Sequence, residues 1–251
     1  MTTIGLIVTY FNCVDYTKAM VESIRTSYPY HLILIDDFSF DGSKAWARAL
    51  EKTNPERIHI FEDEDTVTLG KKWNLGVQKA QDLGCEVALV CNNDILFSPD
   101  TIDNLIKRWE QGGVGLVSAH NIRGSIKPEE IYTYKTIEPT TEAPHPDFSC
   151  FLIDMKTWET IGHFPEVYVP CYFEDNHVHT MLKAHGLVAI AITSAPYYHY
   201  GSITQNQIPA GLCQGPQFEA NRAKFVEIFG ALPESVDIDF VRRKFNITPI
   251  K

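Results

Sequence analysis

The segment LVCNND, residues 89–94, places a short apolar run directly before two amides and a carboxylate. Two earlier segments also place polar residues after an apolar run, namely IGLIVTYFN at residues 4–12 and HLILIDD at residues 31–37. Short apolar runs of this kind, bounded by polar residues, are typical of buried parallel strands. The sequence therefore predicts three buried strands, each followed at its carboxyl end by polar side chains.

Helix-like segments separate these strands. Apolar residues recur at helical spacing between 14 and 24, and residues 70–83 fit a helix that ends at Gly84. Ser98-Pro99 resembles the start of another helix, with Ser98 as N-cap. Alternation of strands and helices predicts an α/β fold with a Rossmann-like, mainly parallel sheet flanked by helices. Further strands are expected at 58–61, 115–118, 151–155 and 187–192, and further helices at 43–50, 156–161, 174–185 and 217–229.

Composition and charge narrow the classes of function. The 251 residues are 44% hydrophobic, which is ordinary for a folded α/β domain. A formal net charge of -10 argues against nucleic-acid binding that depends on Lys and Arg at phosphates. No apolar run is long enough for a membrane span, and the first residues do not resemble a signal peptide. We therefore expect a cytoplasmic protein without a membrane span.

The polar residues that follow the strands are the candidate ligand contacts. In an open parallel sheet, ligands bind beyond the carboxyl ends of the strands. Thr9 and Asn12 follow the first strand, Asp37 follows the second, and Asn93 and Asp94 follow the strand that ends near residue 91. Carboxylate and amide oxygens suit a polar ligand together with Mg²⁺ or Mn²⁺.

Taken in order, the motifs resemble a known family. The segments IVTYFN, LILIDDFSFDGS and LVCNNDILFSPD look like the nucleotide-binding half of inverting GT-A glycosyltransferases of family 2, of the rhamnosyl- or galactosyltransferase-like kind. The segment at 148–164 (FSCFLIDMKTWETIGHF), YFEDNHVHTMLKAHG at 172–186 and YYHYGSIT at 197–204 are similar to the later motifs of that family. The resemblance implies a GT-A fold. It also implies metal-assisted transfer of a sugar from a nucleoside diphosphate sugar to an acceptor hydroxyl, with inversion.

The resemblance assigns donor contacts to six residues. Thr9 and Asp37 would line the nucleobase pocket, and LGKKWNLG at 69–76 resembles the segment that contacts the base, ribose or phosphate. The implied donor-binding set is Thr9, Tyr10, Asp37, Lys72, Asn74 and Asn93. A carboxylate at Asp37 can accept from a base N–H, so a UDP- or TDP-sugar is favoured.

The resemblance also implies a metal site and a catalytic base. Asp94 matches the last acid of the DxD-type motif, and His199 matches the imidazole that completes the metal site. Asp175 matches the general base for the acceptor hydroxyl, with Glu174 beside it. An inverting transfer needs one such base, and a divalent cation (Mn²⁺ or Mg²⁺) supplies positive charge at the leaving diphosphate. The chain departs from the family pattern in having Asn92-Asn93-Asp94, with one carboxylate, at the DxD position.

These assignments predict a division of the chain into three parts. Residues 1–118 would form the nucleotide-sugar-binding half, 119–205 the acceptor-binding and catalytic half, and 206–251 a lid loop and a C-terminal helical extension. The loop at 201–215 would close over the donor. The expected acceptor is a glycan or another hydroxyl-bearing molecule, and the negative charge disfavours a nucleic-acid acceptor.

Each motif alone also fits a structural role. Asp36-Asp37 could start a turn, Asn92-Asn93-Asp94 could be a loop cap, and Glu174-Asp175 could be first-turn acids that a helix dipole favours. His199 could be a satisfied semi-buried histidine. Two other functions remain open, namely a catalytically silent sugar-nucleotide-binding module and a nucleotidyltransferase. The second expects a Gly-rich basic loop after the first strand, where this chain has Thr9-Tyr10-Phe11-Asn12.

Overall fold

One mixed sheet organises the chain. The computed structural model describes residues 1–63, 68–136, 140–144, 147–201, 203 and 215–250. Within them the sheet has nine strands in the order β3-β2-β1-β4-β8-β6-β9-β5, and β7 pairs with β9. The strands are β1 Ile4–Tyr10, β2 Tyr30–Asp37, β3 Ile58–Asp63, β4 Val87–Asn92, β5 Ile95–Phe97, β6 Leu116–Asn121, β7 Glu142–Pro144, β8 Cys150–Asp154 and β9 Ala189–His199.

The first four strands form the parallel part of the sheet. Strand β1 pairs in parallel with β2 on one side and β4 on the other, and β2 pairs in parallel with β3. The register places Thr9 opposite both Ile35 and Asn92. The polar ends of β1, β2 and β4 therefore meet along one line, which we call the carboxyl edge. This part confirms the predicted α/β class.

The remaining strands pair in both directions. Strand β8 runs antiparallel between β4 and β6, whereas β9 is parallel to β6 and antiparallel to β5 and β7. Strand β9 continues to His199, seven residues beyond the predicted end, because its second part pairs with β5 after an irregularity opposite Ser118–His120. The short strand β5 has no sequence signal of its own, because its three residues follow β4 after only two residues.

Helices cover both faces of the sheet. They are α1 Val14–Glu22, α2 Ser43–Thr53, α3 Leu69–Asp82, α4 Thr101–Glu110, α5 Met155–Thr160, α6 Glu174–His185, α7 Pro216–Phe229 and α8 Ile238–Phe245. The first, second and fourth pack with one apolar cluster, and the other five pack with a second cluster on the opposite face. None of the helices within the described residues has the length and apolar character needed to cross a membrane.

Helix α4 begins later than predicted. Its first residue is Thr101, and Asp100 occupies the N-cap position without a side-chain capping bond. Ser98 is instead fully buried, with its hydroxyl 2.9 Å from the Thr101 hydroxyl. Ser98-Pro99 therefore belongs to the turn between β5 and α4. The Thr101 hydroxyl donates to the Pro196 carbonyl in β9, and the helix begins at this residue.

Candidate functional site

The two aspartates at the end of β2 have different surroundings. Asp36 is fully buried, accepts from the Ser39 backbone N–H at 3.1 Å, and lies 3.5 Å from the Lys44 ammonium. Its carboxylate therefore fixes the turn after β2. The Asp37 side chain is 30% exposed at the carboxyl edge, so it is the member of the pair that a ligand can reach.

Lys72 forms an ion pair with Asp37. The Lys72 side chain is 1% exposed, and its Nζ lies 3.0 Å from Asp37 Oδ1. Helix α3 brings it there because Thr68 caps the helix by accepting from the Lys71 N–H, and this orients the first turn toward β2. The buried ammonium thus neutralises the carboxylate that the sequence assigns to the nucleobase.

The loops after β1 and β2 are joined through Asn12. This residue has a φ of 52°, its N–H donates to the Ser39 hydroxyl at 2.7 Å, and its Oδ1 accepts from the Phe40 N–H at 2.8 Å. These bonds hold the segment that follows Asp37 against the loop after β1.

The other predicted donor contacts lie at different depths. Thr9 and Tyr10 point to opposite faces of β1, and the Tyr10 ring, 1% exposed, packs in the core on the face that carries α1 and α2. Burial is the main cause that raises the pKa of Tyr10 well above its ordinary value. Asn93 is buried and donates to the Thr17 hydroxyl at 3.0 Å. The structure therefore leaves Thr9 at the carboxyl edge and places Tyr10 behind it.

Asn74 makes its hydrogen bonds away from the carboxyl edge. Its Nδ2 donates to the Phe164 carbonyl at 2.9 Å and to Glu166 Oε1 at 2.8 Å, and its Oδ1 accepts from the Phe164 N–H and the Trp158 indole. The amide therefore uses all its groups to hold the loop after α5 against α3. We leave Asn74 out of the donor contacts proposed below.

Asp94, which follows β4 after one residue, and His199, the last residue of β9, form a close pair. The carboxylate is 4% exposed and its Oδ1 lies 3.1 Å from His199 Nε2. Pairing of Ile95 with His199 in the β5–β9 ladder places the two residues side by side, and the Tyr200 N–H donates to the Asp94 carbonyl at 2.9 Å. One carboxylate oxygen and one imidazole nitrogen are suitable ligands for a divalent cation such as Mn²⁺. Within the described ranges, no third His, Cys, Asp or Glu joins them in a cluster.

The predicted lid begins beside this pair. The Ile203 N–H lies 3.4 Å from Asp94 Oδ2. Residues 202 and 204–214 of the proposed lid lie outside the described residues.

The start of α6 holds the predicted catalytic acids. Tyr172 and Phe173 both have positive φ, at 80° and 78°, so the chain turns sharply into the helix. Glu174 is 8% exposed, and its Oε2 has no hydrogen-bond partner among the residues that the structure describes. Asp175 is half-buried and accepts from the Asn176 N–H at 2.8 Å. Burial, and then the negative charge of Asp175, raises the pKa of Glu174 to about 8. At neutral pH the first acid is therefore mostly protonated.

A cavity of about 680 Å³ opens on Asp175. We call it the α6 cavity. It is lined by α6, by the segment before α8 and by one residue before β8; the lining residues are Asp147, Asp175, Asn176, His179, Thr180, Lys183, Pro233, Glu234, Val236 and Ile238.

Side-chain contacts connect the Asp94–His199 pair to the α6 cavity. The rings of His199 and Tyr197 are neighbours on β9, with centroids 6.3 Å apart and planes inclined by 30°. The Tyr197 hydroxyl donates to Asp147 Oδ1 at 3.0 Å, and Asp147 lines the cavity. Two side-chain contacts thus link the candidate metal ligands to the cavity that contains Asp175.

Sequence reasoning missed Asp147, Glu234 and Arg123. The Arg123 guanidinium lies against Gly201, because a Cβ added to that glycine would be only 2.1 Å from Arg123 Nη1. Gly201 follows His199 by two residues in the sequence, so a positive charge lies next to the segment after His199. Arg123 and Asp147 lie in irregular segments, and Glu234 lies in a short 3-10 turn, Pro233–Ser235. No periodicity or motif surrounds them, so only the tertiary fold reveals their position.

Comparison with known proteins supports the fold. The chain is 19% identical to the mannosyltransferase PcManGT from Pyrobaculum calidifontis, solved with GDP-Man and Mn²⁺, over 84% of this chain and 58% of that one, with a TM-score of 0.62. It is 14% identical to GalNAc-T7, solved with UDP, GalNAc and Mn²⁺, over 99% of this chain and 55% of that one, with a TM-score of 0.74. TarS 1-349 of S. aureus in complex with UDP-GlcNAc is also 14% identical, over 97% and 70%, with a TM-score of 0.66. The chain spans a little over half the length of the first two proteins.

The family itself is shown by sequence. Residues 6–177 match the family described as Glycosyl transferase family 2, which covers well over half of the 251 residues. The match includes both the carboxyl edge and the first turn of α6. The chain therefore belongs to glycosyl transferase family 2.

Proposed function

We propose that this chain transfers a sugar from a nucleoside diphosphate sugar to an acceptor hydroxyl, with inversion at the anomeric carbon. The observation that carries the proposal is the chain of side-chain contacts from Asp94 and His199, through Tyr197 and Asp147, to the cavity that contains Asp175. It offers a metal-binding pair on one side and a carboxylate base on the other. Residues 1–118 serve the donor and 119–205 serve the acceptor and the chemistry in this proposal.

Asp175 acts as the base. The acceptor oxygen forms a bond to the anomeric carbon while its proton passes to the Asp175 carboxylate. The bond between the anomeric carbon and the diphosphate oxygen breaks, and its electron pair leaves with the nucleoside diphosphate. Attack from the face opposite the diphosphate inverts the configuration. Glu174, protonated below about pH 8, adds little negative charge beside this base.

The carboxyl edge and the Asp94–His199 pair bind the donor. Thr9 and Asp37 contact the nucleobase, and Asp37 accepting from a base N–H favours a UDP- or TDP-sugar. Asp94 and His199 fit a divalent cation, which when bound supplies positive charge to the diphosphate as a Lewis acid. The Arg123 guanidinium beside Gly201 adds positive charge at the same end of β9. Donor complexes of similar folds support a nucleotide-sugar donor, with GDP-Man in one and UDP-GlcNAc in another.

Calorimetric titration with UDP-, TDP-, GDP- and CDP-sugars, with and without Mn²⁺, tests the proposal. We expect one nucleotide class to bind and the cation to tighten its binding. Asp94→Asn removes the carboxylate of the pair and should lower the Mn²⁺-dependent affinity by roughly tenfold or more, by analogy with the loss of a group that supports a metal site. Asp100→Asn, at an exposed position six residues later, is the matched control and should bind as the wild type does. Absence of binding, or binding that ignores the cation, would contradict the proposal.

A further inference from the structure

The α6 cavity has a wall that lies beyond the part of the chain matched to the family. Pro233, Glu234, Val236 and Ile238 line it, whereas the family match ends at residue 177. A volume of about 680 Å³ falls within the roughly 300–1,000 Å³ of small-molecule sites. The acceptor would therefore also meet residues that lie outside the segment matched to the family.

Contacts between α8 and α6 fix this wall. Val241 is fully buried, and Arg242 Nε donates to the Ala184 carbonyl at 2.9 Å, at the end of α6. The Ile250 N–H donates to the His185 carbonyl at 2.8 Å. These bonds tie the C-terminal residues to the helix that carries Asp175. The shape of the cavity is thus set by the packing of the chain itself.

The charge of the lining is negative. Among the described lining residues, Asp147, Asp175 and Glu234 provide three carboxylates and Lys183 provides one ammonium, so their formal charge is -2 with His179 neutral. Asp147 is held in place by the Tyr197 hydroxyl and by the Ser149 N–H, each at 3.0 Å. A binding site disfavours a ligand whose charge has the same sign as its own lining, and this repulsion contributes to specificity. An acceptor that carries a carboxylate or phosphate would therefore be repelled.

The lining also combines apolar and polar surface. Pro233, Val236 and Ile238 offer carbon surface, whereas Asn176 and Thr180 on the helix offer amide and hydroxyl groups. A pyranose ring has a C–H face that can lie on carbon surface and hydroxyls that hydrogen-bond to carboxylates and amides. Apolar walls with a few placed polar groups fix the orientation of such a ligand.

From the lining we infer that the α6 cavity binds an uncharged oligosaccharide as acceptor, and that Glu234 in the C-terminal extension helps exclude anionic acceptors. The inference rests on the proposed function, because the bound sugar would present its hydroxyl to Asp175. The transfer itself is the step already described, in which the sugar oxygen bonds to the anomeric carbon and the nucleoside diphosphate leaves.

Matched acceptors test this inference. The full chain, Mn²⁺ and the donor that binds in the titration are incubated with a panel of neutral disaccharide glycosides, and with the same glycosides oxidised to the terminal uronic acid. We expect kcat/KM for the neutral member of a pair to exceed that of its acid by about tenfold or more. In Glu234→Lys the lining becomes formally neutral, and this ratio should fall by roughly fivefold.

Glu56→Lys is the matched control, because it makes the same charge change at an exposed residue before β3, at the opposite ends of the strands. It should keep the wild-type ratio. Equal or better use of the acids, or a ratio that Glu234→Lys leaves unchanged, would overturn the inference. So would transfer to no neutral glycoside by a protein that binds the donor and slowly hydrolyses it. Failure to bind any donor would instead contradict the proposed function.

Discussion

The carboxyl edge and the α6 cavity differ in the balance of their charged side chains. At the carboxyl edge, Asp37 lies 3.0 Å from the buried Lys72 ammonium, and Asp36 lies 3.5 Å from Lys44. In the α6 cavity, three carboxylates face one lysine. In the first region ion pairs neutralise the carboxylates, whereas the described lining of the second has a surplus of negative charge. This difference accords with the proposed roles, which are donor recognition at the carboxyl edge and acceptor selection in the α6 cavity.

Construction of the two regions explains the difference. The carboxyl edge is formed by the ends of neighbouring parallel strands, so its side chains are fixed by the sheet register. The α6 cavity is formed where one helix meets a C-terminal segment. Groups held by regular elements need little reorganisation on binding, which lowers the cost of recognition. A wall formed by a terminal segment can change between relatives without disturbing the sheet.

Removal of the base gives the largest expected effect. Asp175→Asn keeps the size of the side chain but cannot accept the acceptor proton, so turnover should fall by roughly 10²–10⁴-fold. Because the proposed donor site is the carboxyl edge, donor affinity should change little. Initial-rate measurements of transfer, beside calorimetric titration of the donor, separate the two regions.

The matched control is Asp82→Asn, an exposed carboxylate at the far end of α3 that pairs with Lys79. It should transfer sugar at the wild-type rate. Unchanged turnover in Asp175→Asn would show that the base is elsewhere. Loss of donor affinity in the same variant would show that the two regions are not separable.

The buried acid beside the base should affect stability as a function of pH. Burial raises the pKa of Glu174 from 4.5 to about 8, so the folded state holds a proton that the unfolded state has lost between these values. The contribution of Glu174 to stability is therefore fully present below about pH 4.5 and is lost as pH rises through about 8. Glu174→Gln stays neutral throughout. The free energy of unfolding of this variant, relative to that of the wild type, should therefore rise by on the order of 4 kcal/mol from pH 5 to pH 9.

Urea unfolding at several pH values measures this gain. Glu56→Gln replaces an exposed glutamate and should track the wild type at every pH. A constant difference between Glu174→Gln and the wild type would mean that Glu174 is ionised in the folded protein. In that case the two adjacent acids would both be charged, and the base would have a different environment.

Sequence alone predicted secondary-structure elements well where a local pattern, such as helical spacing, has clear ends. Helices α3 and α6 begin within one residue of the predicted starts, because helical spacing coincides there with clear ends. The mixed pairing of β8 and β9 could not be predicted, since strand direction depends on contacts between residues far apart in sequence. The C-terminal helix α8 was also missed. Its eight residues bury only Val241 deeply, so its apolar stripe is narrow.

Only the site residues that lie at strand ends or within motifs could be predicted from the sequence. The neighbourhood of Asp94 and His199 followed from the motif order, and the structure places them 3.1 Å apart. Asn74 belongs to a motif as well, yet its amide binds the loop at Phe164. A motif gives the identity of a residue, whereas the direction of its side chain depends on neighbours that the local sequence does not contain. For the same reason nothing marked Asp147 or Glu234 as cavity residues.

Lys72 gives the smallest of the expected effects, and it tests the internal neutralisation of the carboxyl edge. Its ammonium is 1% exposed and lies 3.0 Å from Asp37, so Lys72→Met removes one member of a largely buried ion pair. Loss of one partner leaves the other charge poorly compensated. Because the Asp37 side chain is 30% exposed, water reduces the penalty, and we expect a loss of about 2–3 kcal/mol in the free energy of unfolding. Urea unfolding measures it.

The double variant Lys72→Met, Asp37→Asn distinguishes an internal partner from a phosphate contact. If Lys72 mainly neutralises Asp37, removing the carboxylate as well should restore part of the lost stability, because the two substitutions are coupled. Lys79→Met, at the exposed face of the same helix, should cost no more than about 0.5 kcal/mol. If Lys72 instead contacts the donor, Lys72→Met should weaken binding of the nucleoside diphosphate far more than that of the nucleoside, with little change in stability. That result would mean that the carboxyl edge holds its positive charge for the ligand, as the sequence resemblance implies, and would remove the contrast with the α6 cavity.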